Sequence, residues 1–235
     1  MTGNPNFVLT EEVARRLGPL LPEFVFVGGC TTGLFITDPA SAPVRPTRDV
    51  DVIAELVTYS QWANLGDRLR TMGFHEDPRE GAPICRWAIG DMLLDVMPAF
   101  GKVLGFSNKW YPEAVKESHP FKLTPKLSIR LVTPPFFLAT KFEAFHSRGR
   151  RDFYASHDLE DIIAVVDGRE ELMGEIEQTK SGVKRYLATQ FTELLADEDF
   201  VESLPGHFLP DDVSQGRMGF ILARIRAIAA IQSRS

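Results

Sequence analysis

Three aspartates in the first half of the chain have the residue type and spacing for metal-assisted phosphoryl chemistry. Asp49 and Asp51 are separated by one valine, and Asp95 lies in the apolar run Met92-Leu-Leu-Asp-Val-Met97. Alternate residues of a strand share a face, so we expect the first two carboxylates to point the same way. Carboxylate oxygens suit Mg²⁺ or Mn²⁺, and Mg²⁺ also keeps phosphate oxygens in its shell. The three acids therefore predict a site that holds one or two ions against a triphosphate.

The same acids have a plainer interpretation. An alternating pair such as Asp49 and Asp51 also occurs on the solvated face of an edge strand. Asp95 fits that interpretation poorly, because losing the partner of a buried carboxylate costs about 3–5 kcal/mol. The three acids together favour a functional site.

A second feature precedes the acids. The apolar run Phe24–Val27 ends in Gly28 and Gly29. Glycines at a strand-to-helix turn allow close backbone approach, and a helix that starts near Cys30 would offer its first amides to phosphate oxygens. The alternative is an ordinary turn, which is the commoner role of a Gly-Gly pair.

The surrounding pattern predicts which elements position these residues. Apolar and alternating runs predict strands, and spacing of three to four predicts helices. A Gly90-Asp91 turn should join two of the strands. We place a boundary near Pro134, with an α/β part before it and a helical part after it. The predicted strands are 24–27, 49–53, 84–89, 92–96 and 128–132; the predicted helices are 10–20, 60–72, 135–146, 156–166, 170–195 and 214–231.

Composition sets limits on the class of protein. The 235 residues are 44% hydrophobic and 25% charged, which is ordinary for a globular chain. The net charge of −6 gives no global attraction to nucleic acid, so RNA contact would need a local basic patch. Cys30 and Cys85 show no metal-ligand spacing. No apolar stretch reaches the roughly 18 residues of a membrane span, and no signal peptide is evident, so we expect a cytoplasmic protein without a membrane partner.

The order of these features resembles a known superfamily. A Gly-Gly turn, an Asp-x-Asp strand and a later strand with one acid resemble the nucleotidyltransferases of the DNA polymerase beta-like fold. The second half resembles, more narrowly, the AbiEii/AbiGii-type toxin nucleotidyltransferases, which place a helix lysine before a basic turn and an aspartate that opens the next helix. Those positions are Lys141, Arg148–Arg151 and Asp158. The resemblance spans about Phe24 to Val166.

The resemblance implies a fold and an activity. The fold would be α+β, with a mixed β-sheet nucleotidyltransferase core and flanking helices over residues 1–133. A helical region over 134–235 would complete the nucleotide and acceptor site. The activity would move a nucleoside monophosphate from a nucleoside triphosphate to an acceptor. The implied catalytic and metal-binding residues are Asp49, Asp51 and Asp95, the last also as general base. The implied nucleotide contacts are Gly28, Gly29, Thr31, Thr32, Lys141 and Asp158, and the implied acceptor contacts are Arg148, Arg150 and Arg151.

The resemblance also implies partners, and two other functions are alternatives to it. The toxin-like half implies an RNA acceptor such as tRNA and an antitoxin protein as partner. A non-catalytic nucleotide-binding regulatory module and a small-molecule, antibiotic-type nucleotidyltransferase are the alternatives. A basic groove would favour RNA, whereas an acidic pocket would favour a cationic small molecule. Taken alone, Lys141 is more often a solvated helix lysine, the basic turn is more often a surface connection, and we assign Asp161 to a helix face.

Overall fold

The computed structural model describes residues 5–148 and 152–231, and the fold is α+β. The chain forms two compact units. The first comprises Met1–Gly33 and Arg45–Thr133, and the second comprises Leu34–Val44 and Pro134–Ser235. The second unit resumes at Pro134, where we expect a boundary, and it also includes residues 34–44, which we expect in the first part.

A mixed sheet forms the centre of the first unit. Within the described residues it has seven strands: β1 (Phe24–Val27), β2 (Asp49–Ala54), β3 (His75–Glu76), β4 (Arg86–Ile89), β5 (Met92–Pro98), β6 (His119–Thr124) and β7 (Leu127–Leu131). Their order is β3-β4-β5-β2-β1-β7-β6. The pairs β2/β5 and β1/β7 are parallel, and the other neighbours are antiparallel.

The inner strands follow from their side-chain patterns. All four residues of β1 are buried, as expected for an apolar run in the middle of a sheet. In β2, Val50 and Val52 are fully buried, while Asp49 and Asp51 between them are partly exposed. The period-2 prediction for this strand is confirmed, and both acids lie on one face.

Among the residues that the structure describes, four α-helices belong wholly or partly to the first unit: α1 (Pro5–Leu17), α2 (Thr32–Phe35), α3 (Tyr59–Thr71) and α4 (Tyr111–Lys116). The predicted start of the first helix at Thr10 is wrong, because Thr10 lies inside α1 and its hydroxyl donates to the Asn6 carbonyl. The predicted start of α3 at Ser60 is one residue late. Thr58 caps this helix and forms a reciprocal capping box with Gln61.

The second unit is helical in its described residues, with α5 (Pro134–Arg148), α6 (His157–Gly168), α7 (Leu172–Gln178), α8 (Ser181–Leu195), α9 (Glu198–Ser203), α10 (Asp212–Gly216) and α11 (Met218–Ala229). The segment 34–44 joins it through polar contacts. The amides of Thr37 and Asp38 donate to the Gly168 carbonyl at 2.8 and 2.9 Å, and Arg217 bridges Asp38 and Asp167. Across the described ranges, every helix is too short or too polar to span a bilayer.

Candidate active site

The structure brings the three predicted aspartates together on two adjacent strands. Asp49 and Asp51 lie on β2, and Asp95 lies on its parallel neighbour β5. Asp51 is directly opposite Asp95 in the register of this pair, so their side chains share one face of the sheet. Asp95 is only 5% exposed. We call these three residues the carboxylate site.

Arg86 is a member of the site that sequence reasoning missed. It lies on β4, opposite Asp95 in the antiparallel pair with β5. Its Nε donates to Asp95 Oδ1 at 2.7 Å, and its Nη2 donates to Asp95 Oδ2 at 2.6 Å and to Asp49 Oδ2 at 2.7 Å. The hydrogen bonds that Arg86 donates to Asp95 raise the pKa of Arg86 despite its partial burial, so the side chain is a permanent cation.

A signal for Arg86 is present in the sequence. The predicted turn at Gly90-Asp91 pairs Ile89 with Met92, and this register places Arg86 opposite Asp95. Opposite charges directly across an antiparallel pair stabilise each other. Charge pairing across the predicted hairpin is therefore the feature that identifies Arg86 as a neighbour of Asp95.

Asp49 is held from two sides. The Thr47 hydroxyl donates to Asp49 Oδ1 at 2.9 Å, and Arg86 Nη2 donates to Asp49 Oδ2 at 2.7 Å. The Asp49 side chain is 31% exposed, which makes it the more accessible partner of Arg86. Its orientation is thus fixed before any ligand arrives, as expected for a preorganised site.

Gly28 has a specific role next to Asp51. Its φ of +77° lies in the left-handed region, which favours glycine. A Cβ at this position would lie 1.9 Å from Asp51 Oδ2, far inside van der Waals contact. The residue before it, Val27, pairs with Asp51 across β1 and β2. Glycine at this position therefore makes room for the Asp51 carboxylate.

Replacing Gly28 with alanine should destabilise the protein by about 2–4 kcal/mol, since left-handed strain and overpacking add. Urea unfolding measures this change. Gly81→Ala is the matched control, because Gly81 has a φ of +78° and a Cβ there would have no described atom within 4 Å. Adding Asp51→Gly to Gly28→Ala should recover the part of the unfolding free energy that is lost through overpacking. Equal losses for Gly28→Ala and Gly81→Ala would contradict the steric role of Gly28.

The residues after the glycines form a shorter element than predicted. Gly29–Thr31 is one 3₁₀ turn, and α2 adds only four residues. The Thr31 hydroxyl already donates to the Gly28 carbonyl at 2.8 Å. The buried Thr32 hydroxyl has no hydrogen-bond partner among the described residues. Thr32 is therefore the hydroxyl of this turn with unused hydrogen-bonding capacity.

The predicted residues Lys141 and Asp158 lie in the second unit, on α5 and α6. Lys141 Nζ is 3.0 Å from Asp158 Oδ1 and 2.7 Å from Asp161 Oδ2, and all three residues are buried. The interpretation of Lys141 as a solvated lysine is therefore wrong. Asp161, which we assign to a helix face, lies on α6, is 1% exposed and pairs with Lys141.

Arg148 extends this cluster to the surface. Its Nε and Nη2 donate to the two oxygens of Asp158 at 2.9 and 3.0 Å, while 69% of its side chain is exposed. Burial raises the pKa of Asp158, but the contacts with Arg148 and Lys141 outweigh it, and the net pKa is lowered. Arg150 and Arg151, the other predicted acceptor contacts, lie outside the described residues.

The two cysteines are unsuited to nucleophilic catalysis. Both are buried, and Cys30 Sγ donates to the Val27 carbonyl at 3.3 Å. Burial, assisted by the charge of Asp95, raises the pKa of Cys85 to about 12. Since the thiolate is the reactive form, a thiol with so high a pKa is inert near neutral pH.

Comparisons with known proteins add a fold likeness. No protein-family model and no curated protein sequence matches the chain. Among solved structures, the chain is similar to an antigenic nucleotidyltransferase-like protein from Paracoccidioides brasiliensis, with a TM-score of 0.48 and 18% identity. The match covers 86% of this chain and 93% of that chain. The inference of an activity depends on the carboxylate site itself.

The carboxylate site suits a hard divalent cation in the chemistry of its donors. Asp49, Asp51 and Asp95 offer oxygen ligands from one face of the sheet, which is the donor set that Mg²⁺ and Mn²⁺ prefer. Within the described ranges, no three His, Cys, Asp or Glu side chains are already arranged around a metal position. Arg86 is paired with two of the three acids in this arrangement.

Proposed function

We propose that the protein is a metal-dependent nucleotidyltransferase that moves a nucleoside monophosphate from a nucleoside triphosphate to an acceptor. The observation that supports this proposal is the in-register placement of Asp51 and Asp95 on β2 and β5, with Asp49 on the same face. Three convergent carboxylates on rigid strands are what metal-assisted phosphoryl transfer requires. Asp49, Asp51 and Asp95 would hold Mg²⁺ or Mn²⁺, and the ion would supply positive charge to the triphosphate.

The chain's own residues would divide the remaining work. The Asp95 carboxylate would accept the proton of an acceptor hydroxyl, which requires one of its oxygens to be released by Arg86. The Gly28-Gly29 turn and the Thr32 hydroxyl would face the triphosphate.

The acceptor defines two versions of this function. The first is an RNA end such as that of tRNA, with an antitoxin protein as partner and Arg148, Arg150 and Arg151 as acceptor contacts. The exposed guanidinium of Arg148 favours an anionic acceptor of this kind. The second is a cationic small molecule, because the second unit contains a cavity of about 670 Å³. Among its described lining residues are the acids Glu193, Asp197, Glu198 and Asp199.

Incubation with Mg²⁺ and each α-labelled nucleoside triphosphate tests both versions, with total RNA and an aminoglycoside as separate acceptors. We expect label transfer from one triphosphate to one acceptor class, and none with Asp49→Ala/Asp51→Ala. The double variant should still fold, since both side chains are partly exposed. Absence of both transfer and nucleotide binding, with wild type and variant indistinguishable, would overturn the proposed function.

A further inference from the structure

We propose that Arg86 and a divalent cation compete for the carboxylate site, so that Arg86 is a positioning residue that holds the metal-free site together and must leave it when the ion binds. The inference rests on the proposed function, because it concerns the ion that the function requires. The carboxylate site would then alternate between an arginine-paired state and a metal-bound state.

The geometry of one nitrogen atom carries the argument. Arg86 Nη2 lies 2.7 Å from Asp49 Oδ2 and 2.6 Å from Asp95 Oδ2. An ion that bridges the same oxygens needs distances of about 2.0–2.1 Å to each. Such an ion would share the space of the guanidinium group and would be repelled by its charge. Asp49 Oδ2 and Asp95 Oδ2 therefore cannot be bridged by a metal ion and by Arg86 Nη2 at the same time.

The carboxylate pairing also explains why an arginine is needed here. Asp95 is 5% exposed, and a buried carboxylate requires a cation. Arg86 satisfies both oxygens of Asp95 in a bidentate contact, in which charge-assisted hydrogen bonds are stronger than those between neutral groups. The guanidinium therefore stabilises the metal-free site, and a bound ion would take over this role.

The arginine has a route out of the site. The backbone of Arg86 is fixed by its pairing with Asp95, but its side chain is 19% exposed, so part of it reaches solvent. A rotation of this long side chain can release the carboxylates without changing the sheet. The exchange thus needs a side-chain movement only.

Calorimetric titration with Mn²⁺ alone tests the competition. Arg86→Met should bind Mn²⁺ at least about tenfold more tightly than wild type, because the competing cation is gone. Added Mn²⁺ should also raise the melting temperature of Arg86→Met more than that of wild type. Arg68→Met, which removes an exposed pair with Glu23, is the control and should leave Mn²⁺ affinity unchanged. Adding Asp95→Asn to Arg86→Met should abolish the gain.

Unchanged or weaker Mn²⁺ binding by Arg86→Met would overturn the competition. Should this variant fail to fold, Arg86→Lys, which keeps the charge but loses the bidentate contact, must show an intermediate gain in affinity. In wild type, the Nε–Hε resonance of Arg86 must shift on addition of Mg²⁺, and a resonance that stays fixed at metal saturation also overturns the proposal. The readouts do not need catalysis: tighter Mn²⁺ binding in an inactive protein leaves the competition standing and counts against the proposed function alone.

Discussion

Asp51→Asn should lower nucleotidyl transfer by roughly 10³-fold while leaving the metal-free protein folded. Asparagine keeps the shape of aspartate, so the tight contact with Gly28 is retained. The loss comes from removing one negative oxygen donor at the centre of the carboxylate site, where electrostatic stabilisation is worth several kcal/mol. The free energy of unfolding without metal should change by less than about 1 kcal/mol. Transfer assays and urea unfolding in chelator measure the two quantities.

Asp91→Asn is the matched control for this experiment. Asp91 lies in the exposed turn of the β4/β5 hairpin, so the substitution removes the same charge from the same unit without altering the site. Its activity and stability should equal those of wild type. If Asp51→Asn instead causes a large loss of metal-free stability, Asp51 is a structural acid, and its assignment as a metal ligand is wrong.

Local sequence patterns are sufficient to predict the strands that carry the acids. The continuous apolar run of β1 and the period-2 alternation in β2 are both local signals, which depend on the strand and its two faces alone. The same reasoning misplaces the start of α1, because Thr10 resembles a cap but uses its hydroxyl inside the helix. It also misses the contact between Gly28 and Asp51, since that contact depends on how β1 pairs with β2.

The second unit contains the features that local patterns do not reveal. Helical spacing indicates which residues share a face of α5 or α6, but it does not indicate what covers that face. Lys141 and Asp161 therefore resemble solvent-exposed charges in the sequence, and only packing of α5 against α6 makes them partners. The segment 34–44 has no periodic pattern, so its place beside Gly168 depends on long-range hydrogen bonds.

Lys141→Met should destabilise the protein by about 3–5 kcal/mol. The methionine fits an apolar helix face, but Asp158 and Asp161 lose the ammonium group that lies 3.0 and 2.7 Å away. Removing one partner of a buried ion pair is the costly way to disrupt it, and here the two buried acids lose the cation that they share, while Arg148 stays paired with Asp158. Urea unfolding at neutral pH measures the loss. Lys184→Met is the control, because Lys184 Nζ contacts an exposed backbone carbonyl, and it should cost less than about 1 kcal/mol.

The pH dependence of this variant provides an independent check. In wild type the pKa of Asp158 is lowered on folding from its usual 3.8, so its contribution to stability is present above that value and is lost as pH falls through the folded pKa. In Lys141→Met, Asp158 should bind its proton at higher pH than in wild type, because the desolvation that raises the pKa of this carboxyl is then opposed by Arg148 without Lys141. The stability difference between the two proteins should therefore shrink as pH falls from 7 towards about 4. A difference independent of pH would mean that Lys141 stabilises the unit through packing of its aliphatic stem.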